Sequence, residues 1–338
     1  MTESFSHEKL DRFVKEHFGA GPGAVERIGG GQSNPTFFIT VGAQRLVLRK
    51  QPHGPILKGA HAVDREYRVL EALSKTNVPV PKPLLFCADA DILGTPFYVM
   101  ERLEGRVFHD AALPDLARDE RTTLYRSMAE TLACLHAIDP DSIGLSDFGR
   151  PGNYFERQLA RWSKQWDESS ANFIPALDDL IEELKQMLPA DDGLVSIVHG
   201  DYRMGNLMVH PTEPRVIGIL DWELSTLGHP LADLGFAAMA WHTTPKDYGG
   251  IAGLDLEGLG IPTKEAFIKA YMNISKSALS LQPFHIAFAL FRFAVIFVGI
   301  ADRAKHGNAA GNNATEIAPL AARFAEIGLS VLKKRINA

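Results

Sequence analysis

The stretch from Ile197 to Glu223, IVHGDYRMGNLMVHPTEPRVIGILDWE, constrains this chain more than any other. An apolar run ends in His199-Gly200-Asp201, and Asn206 follows five residues after Asp201. A short strand-like segment, Leu207 to Val209, then enters a turn containing Pro211 and Pro214. A second apolar run, Val216 to Leu220, ends in Asp221. Folded about its turn as a hairpin, this sequence places Asn206 and Asp221 near the same end of two paired strands, with Asp201 on the loop just before them. Two carboxylates and a carboxamide then offer hard oxygen ligands and a proton acceptor. Mg²⁺ prefers such a set: a few protein oxygens, with water and phosphate filling its other positions. In phosphoryl transfer one Asp takes the proton of the attacking hydroxyl, while an Asn and a second Asp hold metal against the phosphates. Single pieces of this set are common by chance; the ordered combination is not.

HGDYRMGN resembles the catalytic loop of kinases, His-x-Asp-x-x-x-x-Asn, with the same Asp-to-Asn spacing. The Gly after His is the form typical of the aminoglycoside phosphotransferase and choline kinase family. ILDWE stands where protein kinases have Asp-Phe-Gly. The resemblance implies an α+β, two-lobed protein-kinase-like fold: a small N-lobe of antiparallel sheet plus helix, and a larger, mainly helical C-lobe. It implies ATP and Mg²⁺ as cofactors, Asp201 as catalytic base, and Asn206 and Asp221 as metal ligands. Arg203 falls where protein kinases carry a Lys, and a cation there would stabilise charge on the transferring phosphoryl group. Met100 to Leu103 would form an adenine-binding hinge through backbone groups, with Glu101 and Leu103 at its core.

The pattern along the chain agrees. With 338 residues it is long for one core and natural for two lobes. Strand-like runs cover Thr36 to Val41, Arg45 to Lys50 and Pro96 to Leu103, and Val63 to Lys75 reads as a helix. Pro79, Pro81 and Pro83 break the chain between them. Downstream the periodicity turns helical, over Leu116 to Ala137, Tyr154 to Trp166, Leu177 to Leu188, Leu231 to Ala240, Lys264 to Ser275, Pro283 to Arg303 and Ala318 to Lys334. The expected lobes are residues 1–102, nucleotide-binding, and 103–338, carrying the catalytic loop and acceptor site.

On the nucleotide side, Gly29, Gly30, Gly31, Gln32 and Ser33 form a Gly-rich turn between strands, which lets backbone amides approach phosphates. The glycines are consecutive and a strand follows, so this is no dinucleotide fingerprint, and no Gly-Lys-Ser/Thr marks a P-loop. In RLVLRK, Val47 and Arg49 share one face, Leu48 and Lys50 the other. Kinases place a phosphate-pairing Lys on this strand. Arg49 aligns with it, yet Lys50 is an open alternative. Glu66 sits among Val63, Leu70 and Leu73 at helical spacing, and a carboxylate in an apolar stripe needs a cation partner.

The net charge of −6 speaks against a nucleic-acid partner. Cys87 and Cys134 are isolated in apolar stretches and make no disulfide framework, which fits a cytoplasmic setting, as does the charged N-terminal segment. Ile286 to Ala301 is apolar but short for a membrane span and holds Arg292 mid-way, so a buried core helix and no membrane partner are expected, with Arg292 in a structural ion pair or, second, clamping a substrate carboxylate or phosphate. Asp233 is expected to cap its helix or brace the catalytic loop, and His136 to hydrogen-bond at a helix end. The acceptor would be a small-molecule hydroxyl. Arg150, Arg157, Arg161 and Lys164 count mildly against polycationic acceptors, although a solvated helix face explains them as well. VLRKQPHG, HAVDREYRVLEAL and HGDYRMGNLM resemble the kinase-like domain of acyl-CoA dehydrogenase family members 10 and 11. That resemblance implies a hydroxyacyl-CoA or hydroxy acid as acceptor, with association with an acyl-CoA dehydrogenase. An aminoglycoside or choline-type kinase is the alternative, as is a silent nucleotide-binding partner of such a dehydrogenase.

Overall fold

Side chains alternate across the strand Thr36–Val41, with Phe37, Ile39 and Val41 buried on one face. In the computed structural model this strand lies in a five-stranded antiparallel sheet, and residues 6–28, 34–53, 61–170, 173–275, 279–305 and 314–333 are described. The strands are β1 (Ala24–Arg27), β2 (Thr36–Val41), β3 (Gln44–Lys50), β4 (Pro83–Cys87) and β5 (Phe97–Glu101), in the order β1-β2-β3-β5-β4. Helix α1 (His7–Phe18) packs Leu10, Phe13 and Val14 against Phe37, Ile39, Leu46, Leu48 and Phe97. Helix α2 (Val63–Leu73) packs against β4 and β5. Pro83 starts β4 where a chain break was expected: β4 is an edge strand, and the first residue of an edge strand needs no ladder N–H. Strand β1 escaped the sequence reading because most of its residues are exposed and show no apolar alternation.

These elements, with Ile217–Glu223, make up one compact unit, Met1–Gly105 and Ile217–Glu223; Arg106–Val216 and Leu224–Ala338 make up the other. The second unit is mainly helical: α3 (Arg118–His136), α4 (Tyr154–Asp167), α5 (Pro175–Gln186), α6 (Leu231–Ala238), α7 (Lys264–Ile274), α8 (Pro283–Lys305) and α9 (Ala314–Lys333). Helix α8 packs on α9, α6, α4 and α5. It is long and apolar enough to cross a membrane, yet 78% of its most apolar window is buried inside the protein. Strand β6 (Ser196–Val198) pairs antiparallel with β9 (Thr226–Gly228). After β6 the chain forms the loop to β7 (Leu207–Val209), and the His210 N–H donates to the Arg215 carbonyl at 2.9 Å to close the turn before β8 (Val216–Ile219).

Lys50 lies on the α1 face of the sheet, fully buried, and donates to the Leu93 carbonyl at 2.7 Å. Burial lowers its ammonium from 10.5 to about 8. The native chain therefore gives up this proton before the unfolded chain does, and stability rises with pH between those values. Lys50→Met removes the titration. Its stability relative to wild type should fall by on the order of 3 kcal/mol between pH 7 and 10.5, read by urea unfolding across that range. A difference independent of pH would refute the burial of a titrating Lys50.

Candidate active site

In the first unit, β3 and α2 hold a buried charge cluster. Arg49 and Glu66 point toward each other from strand and helix, with Arg49 Nε 2.8 Å from Glu66 Oε2. Arg49 Nη2 donates to Asp221 Oδ1 at 2.6 Å, and Glu223 lies at 3.7 Å. Glu66 also accepts from Tyr98 Oη at 3.0 Å and from Asn34 Nδ2 at 2.5 Å. Burial works to lower the Arg49 guanidinium, but Glu66, Tyr98, Asp221 and Glu223 outweigh it and hold the cation firmly protonated. Asp221 adopts a left-handed backbone, φ 63°, a conformation that a non-glycine residue keeps only when its surroundings impose it.

In the second unit, β6 leads into the His199-Gly200-Asp201 loop. Asn206 Nδ2 donates to Asp201 Oδ2 at 2.6 Å and to the Asp201 carbonyl at 2.8 Å. Arg203 Nε lies 3.5 Å from the Asp201 carboxylate. The loop is held from beneath by Asp233 of α6, which is fully buried and accepts the N–H groups of His199 at 2.6 Å and Gly200 at 2.8 Å. His136 of α3 sits 3.2 Å from the same carboxylate and 2.8 Å from Tyr271 Oη. Burial alone would raise the Asp233 carboxyl; the hydrogen bond and charge of His136 lead the effects that hold it below its ordinary value. Gly200 is at φ 84°, and a Cβ there would meet the Leu224 carbonyl oxygen at 2.8 Å, so the middle of His-Gly-Asp must be glycine.

A model of the phosphotransferase enzyme family matches residues 24–260, the span that contains both clusters. The chain belongs to this phosphotransferase family. It is 45% identical to a solved protein of Ralstonia eutropha JMP134, provisionally named an aminoglycoside phosphotransferase, with a TM-score of 0.88 over 98% of this chain and 99% of that one. An aminoglycoside phosphotransferase solved with AMP-PNP and hygromycin B is 15% identical and shares the fold, with a TM-score of 0.65 over 96% of this chain and 98% of that one. Acyl-CoA dehydrogenase family member 11 of Gallus gallus is 43% identical over 93% of this chain. Family member 10 of Mus musculus is 37% identical over 96%. The chain spans 41% and 31% of the length of these two relatives. The α+β, protein-kinase-like fold expected from the sequence is thus the fold of this phosphotransferase.

Within the phosphotransferase, Arg49 and Lys50 diverge: Arg49 meets Glu66 and Asp221, while Lys50 faces Leu93. Gly29, Gly30, Gly31, Gln32 and Ser33 lie outside the described residues. Glu101 spends its side chain on the Lys82 N–H at 2.8 Å, and Leu103 follows β5 in the segment after the sheet. Arg157 turns back to cap its own approach, donating to the Pro151 and Arg150 carbonyls, so it does not form a preset anion site with Arg161. Arg292 departs from expectation. Among the described residues no carboxylate lies within ion-pairing reach of it; its Nη2 donates to the Gly200 carbonyl at 3.1 Å. Helix periodicity shows that such a residue is buried, but not which backbone atom it will meet.

Tyr98 and Asn34 were missed. Tyr98 pairs with Arg49 in the β3–β5 register, so strand alternation in PFYVMERL contained the signal for it. Asn34 borders the Gly-rich segment and had none. Next to Arg203 the second unit opens a cleft lined by His109, Tyr125, Phe236, Trp241, Tyr248 and Phe293. Among the described residues no Asp or Glu lines it.

Proposed function

We propose that this phosphotransferase moves the γ-phosphate of ATP to a hydroxyl on a small molecule, with a hydroxyacyl-CoA or hydroxy acid as acceptor. The observation that carries the reading is Asp201 held at 2.6 Å by Asn206, five residues along the same loop. An ionised carboxylate fixed this way accepts the proton of an attacking hydroxyl without having to reorient. Arg203, 3.5 Å from that carboxylate, places a cation where charge builds on the transferring group.

The residues present fit Mg²⁺. In the second unit Asn206 turns its amide nitrogen to Asp201, which leaves its carbonyl oxygen as a ligand atom of the type Mg²⁺ takes, and in the first unit Asp221 carries a carboxylate of the same hard-oxygen type. Among the described residues no group of three or more His, Cys, Asp or Glu gathers, as suits an ion that takes most of its ligands from phosphate and water. When bound, Mg²⁺ neutralises the phosphate charge and aligns the γ-phosphate. Arg49, kept protonated by Glu66, would pair the nucleotide phosphates, and Asp201 would keep the accepted proton until product leaves.

For the acceptor, the cleft beside Arg203 offers aromatic surface and the Arg203 cation, and among the described residues no Asp or Glu lines it. A polycationic aminoglycoside would lose its hydration there without a counter-charge; an acyl chain with an anionic head would not. The names of the relatives, acyl-CoA dehydrogenase family members 11 and 10, support an acyl-CoA acceptor, and an acyl-CoA dehydrogenase acting on the product is the natural partner. ATP turnover with Mg²⁺ should be followed by phosphate transfer to 4-hydroxyacyl-CoAs, free hydroxy acids, kanamycin-type aminoglycosides and choline. Transfer to the acyl substrates alone is expected. Transfer to an amine substrate alone would overturn the acceptor assignment. Mg²⁺-ATP binding without any transfer would favour a silent nucleotide-binding protein.

A further inference from the structure

Arg292 sits in the middle of α8 between Phe291 and Phe293, 5% exposed. Its Nη2 donates to the Gly200 carbonyl at 3.1 Å, its guanidinium lies 5.7 Å from the Trp162 ring, and its Nε has no hydrogen-bond partner among the described residues. Removing a cation from water without a carboxylate beside it is costly, and an apolar side chain would fill the site in α8 better. Packing therefore does not explain an arginine here. What it holds does.

The Gly200 carbonyl and the Asp201 N–H belong to one rigid peptide plane. Arg292 takes the carbonyl side, and the Asp201 N–H donates to His199 Nδ1 at 3.2 Å on the other side. The preceding peptide is held too, through the Gly200 N–H to Asp233 Oδ1 at 2.8 Å. Gly200, at φ 84°, lacks the side chain that would otherwise restrict its backbone, so a peptide here turns easily unless it is tied. Two buried groups of opposite charge, from α6 and α8, tie both polar atoms of Gly200.

We infer that Arg292 is a positioning residue: it fixes the peptide that aims the Asp201 carboxylate, and does not touch substrate. The consequence for turnover rests on the phosphotransferase reading above, whereas the consequence for the loop does not. Arg292→Met keeps length and removes both charge and donor. Arg292→Lys keeps a charged donor.

Three readouts on the full chain test this. Hydrogen exchange of the backbone amides from His199 to Asn206 should speed up ~10-fold in Arg292→Met, as expected when a local tie is lost. The kcat should fall by up to ~100-fold, the scale of a 1 Å misplacement, while KM for ATP stays within about twofold. Thermal stability should be equal to wild type or higher, which separates positioning from a structural need for the cation. Arg292→Lys should recover most of both losses. Unchanged loop exchange in Arg292→Met would overturn the inference whether or not the protein is a kinase. Should Arg292→Met not fold, Arg292→Lys decides: wild-type-like folding with exchange and kcat near wild type supports the tie, and a folded protein with a freely exchanging loop refutes it. A wild type that turns over no acceptor, with exchange faster in Arg292→Met, would sink the proposed function and leave the positioning role standing.

Discussion

Asp201→Ala lowers kcat by ~10³-fold, within the range for loss of a positioned general base, and leaves the affinity for Mg²⁺-ATP within about twofold. The split follows from where the residue's contacts go. Asp201 is bound by Asn206 and neighboured by Arg203, both from its own loop. On the proposed function, removing its carboxylate takes away the proton acceptor and leaves Arg49, the cation proposed to pair the phosphates. Asp201→Asn is the sharper variant: it keeps the size and a hydrogen bond to Asn206 but has no basic oxygen. It should be as inactive as Asp201→Ala. Steady-state transfer and nucleotide titration on the two variants check this. Activity within tenfold of wild type in Asp201→Asn would mean another group takes the proton.

Arg49→Met should cost ~3–5 kcal/mol of stability, the usual loss when one partner of a buried ion pair is removed. Glu66 is 1% exposed and would then face Asp221 in the same cluster with no cation between them. The cost therefore comes from a stranded carboxylate more than from a lost contact. A double variant, Arg49→Met with Glu66→Gln, removes that charge and should recover much of the stability, because neighbouring sites in one network are not additive. It should not recover nucleotide binding, since Arg49 would pair the phosphates. Denaturant unfolding and ATP titration on the single and double variants separate the two effects. A single variant as stable as wild type would show that the cluster is not a buried ion pair in solution. A double variant that binds ATP normally would remove Arg49 from the phosphate site.

Much of this was legible before any coordinates. The run from His199 to Asp221 has its residue types at fixed intervals, and a short interval along a chain limits how far apart the ends can lie. Thus Asn206 meets Asp201 as a matter of local geometry. Strand alternation assigned Arg49 and Lys50 to opposite faces, and helix periodicity placed Glu66 in a buried stripe. Neither periodicity says which face of the sheet α2 covers, and that decides which cation meets Glu66. The missed β1 and the misjudged Pro83 have the same origin: at sheet edges, ladder hydrogen bonds from a neighbour decide the strand, not the segment's own pattern.

The sequence by itself determined the family and the residue types available to the chemistry: an Asp, an Asn and an Asp in order, and a carboxylate that demanded a cation. Only the tertiary structure decided the partners across long separations. Arg49 meets Asp221 from 172 residues away, and Arg292 meets the Gly200 carbonyl from 92 away. The reason is physical. Local sequence sets periodicity and spacing, which fix faces and short-range contacts. Contacts across such distances depend on how whole elements pack, and a buried charge accepts whichever complementary atom that packing brings to it.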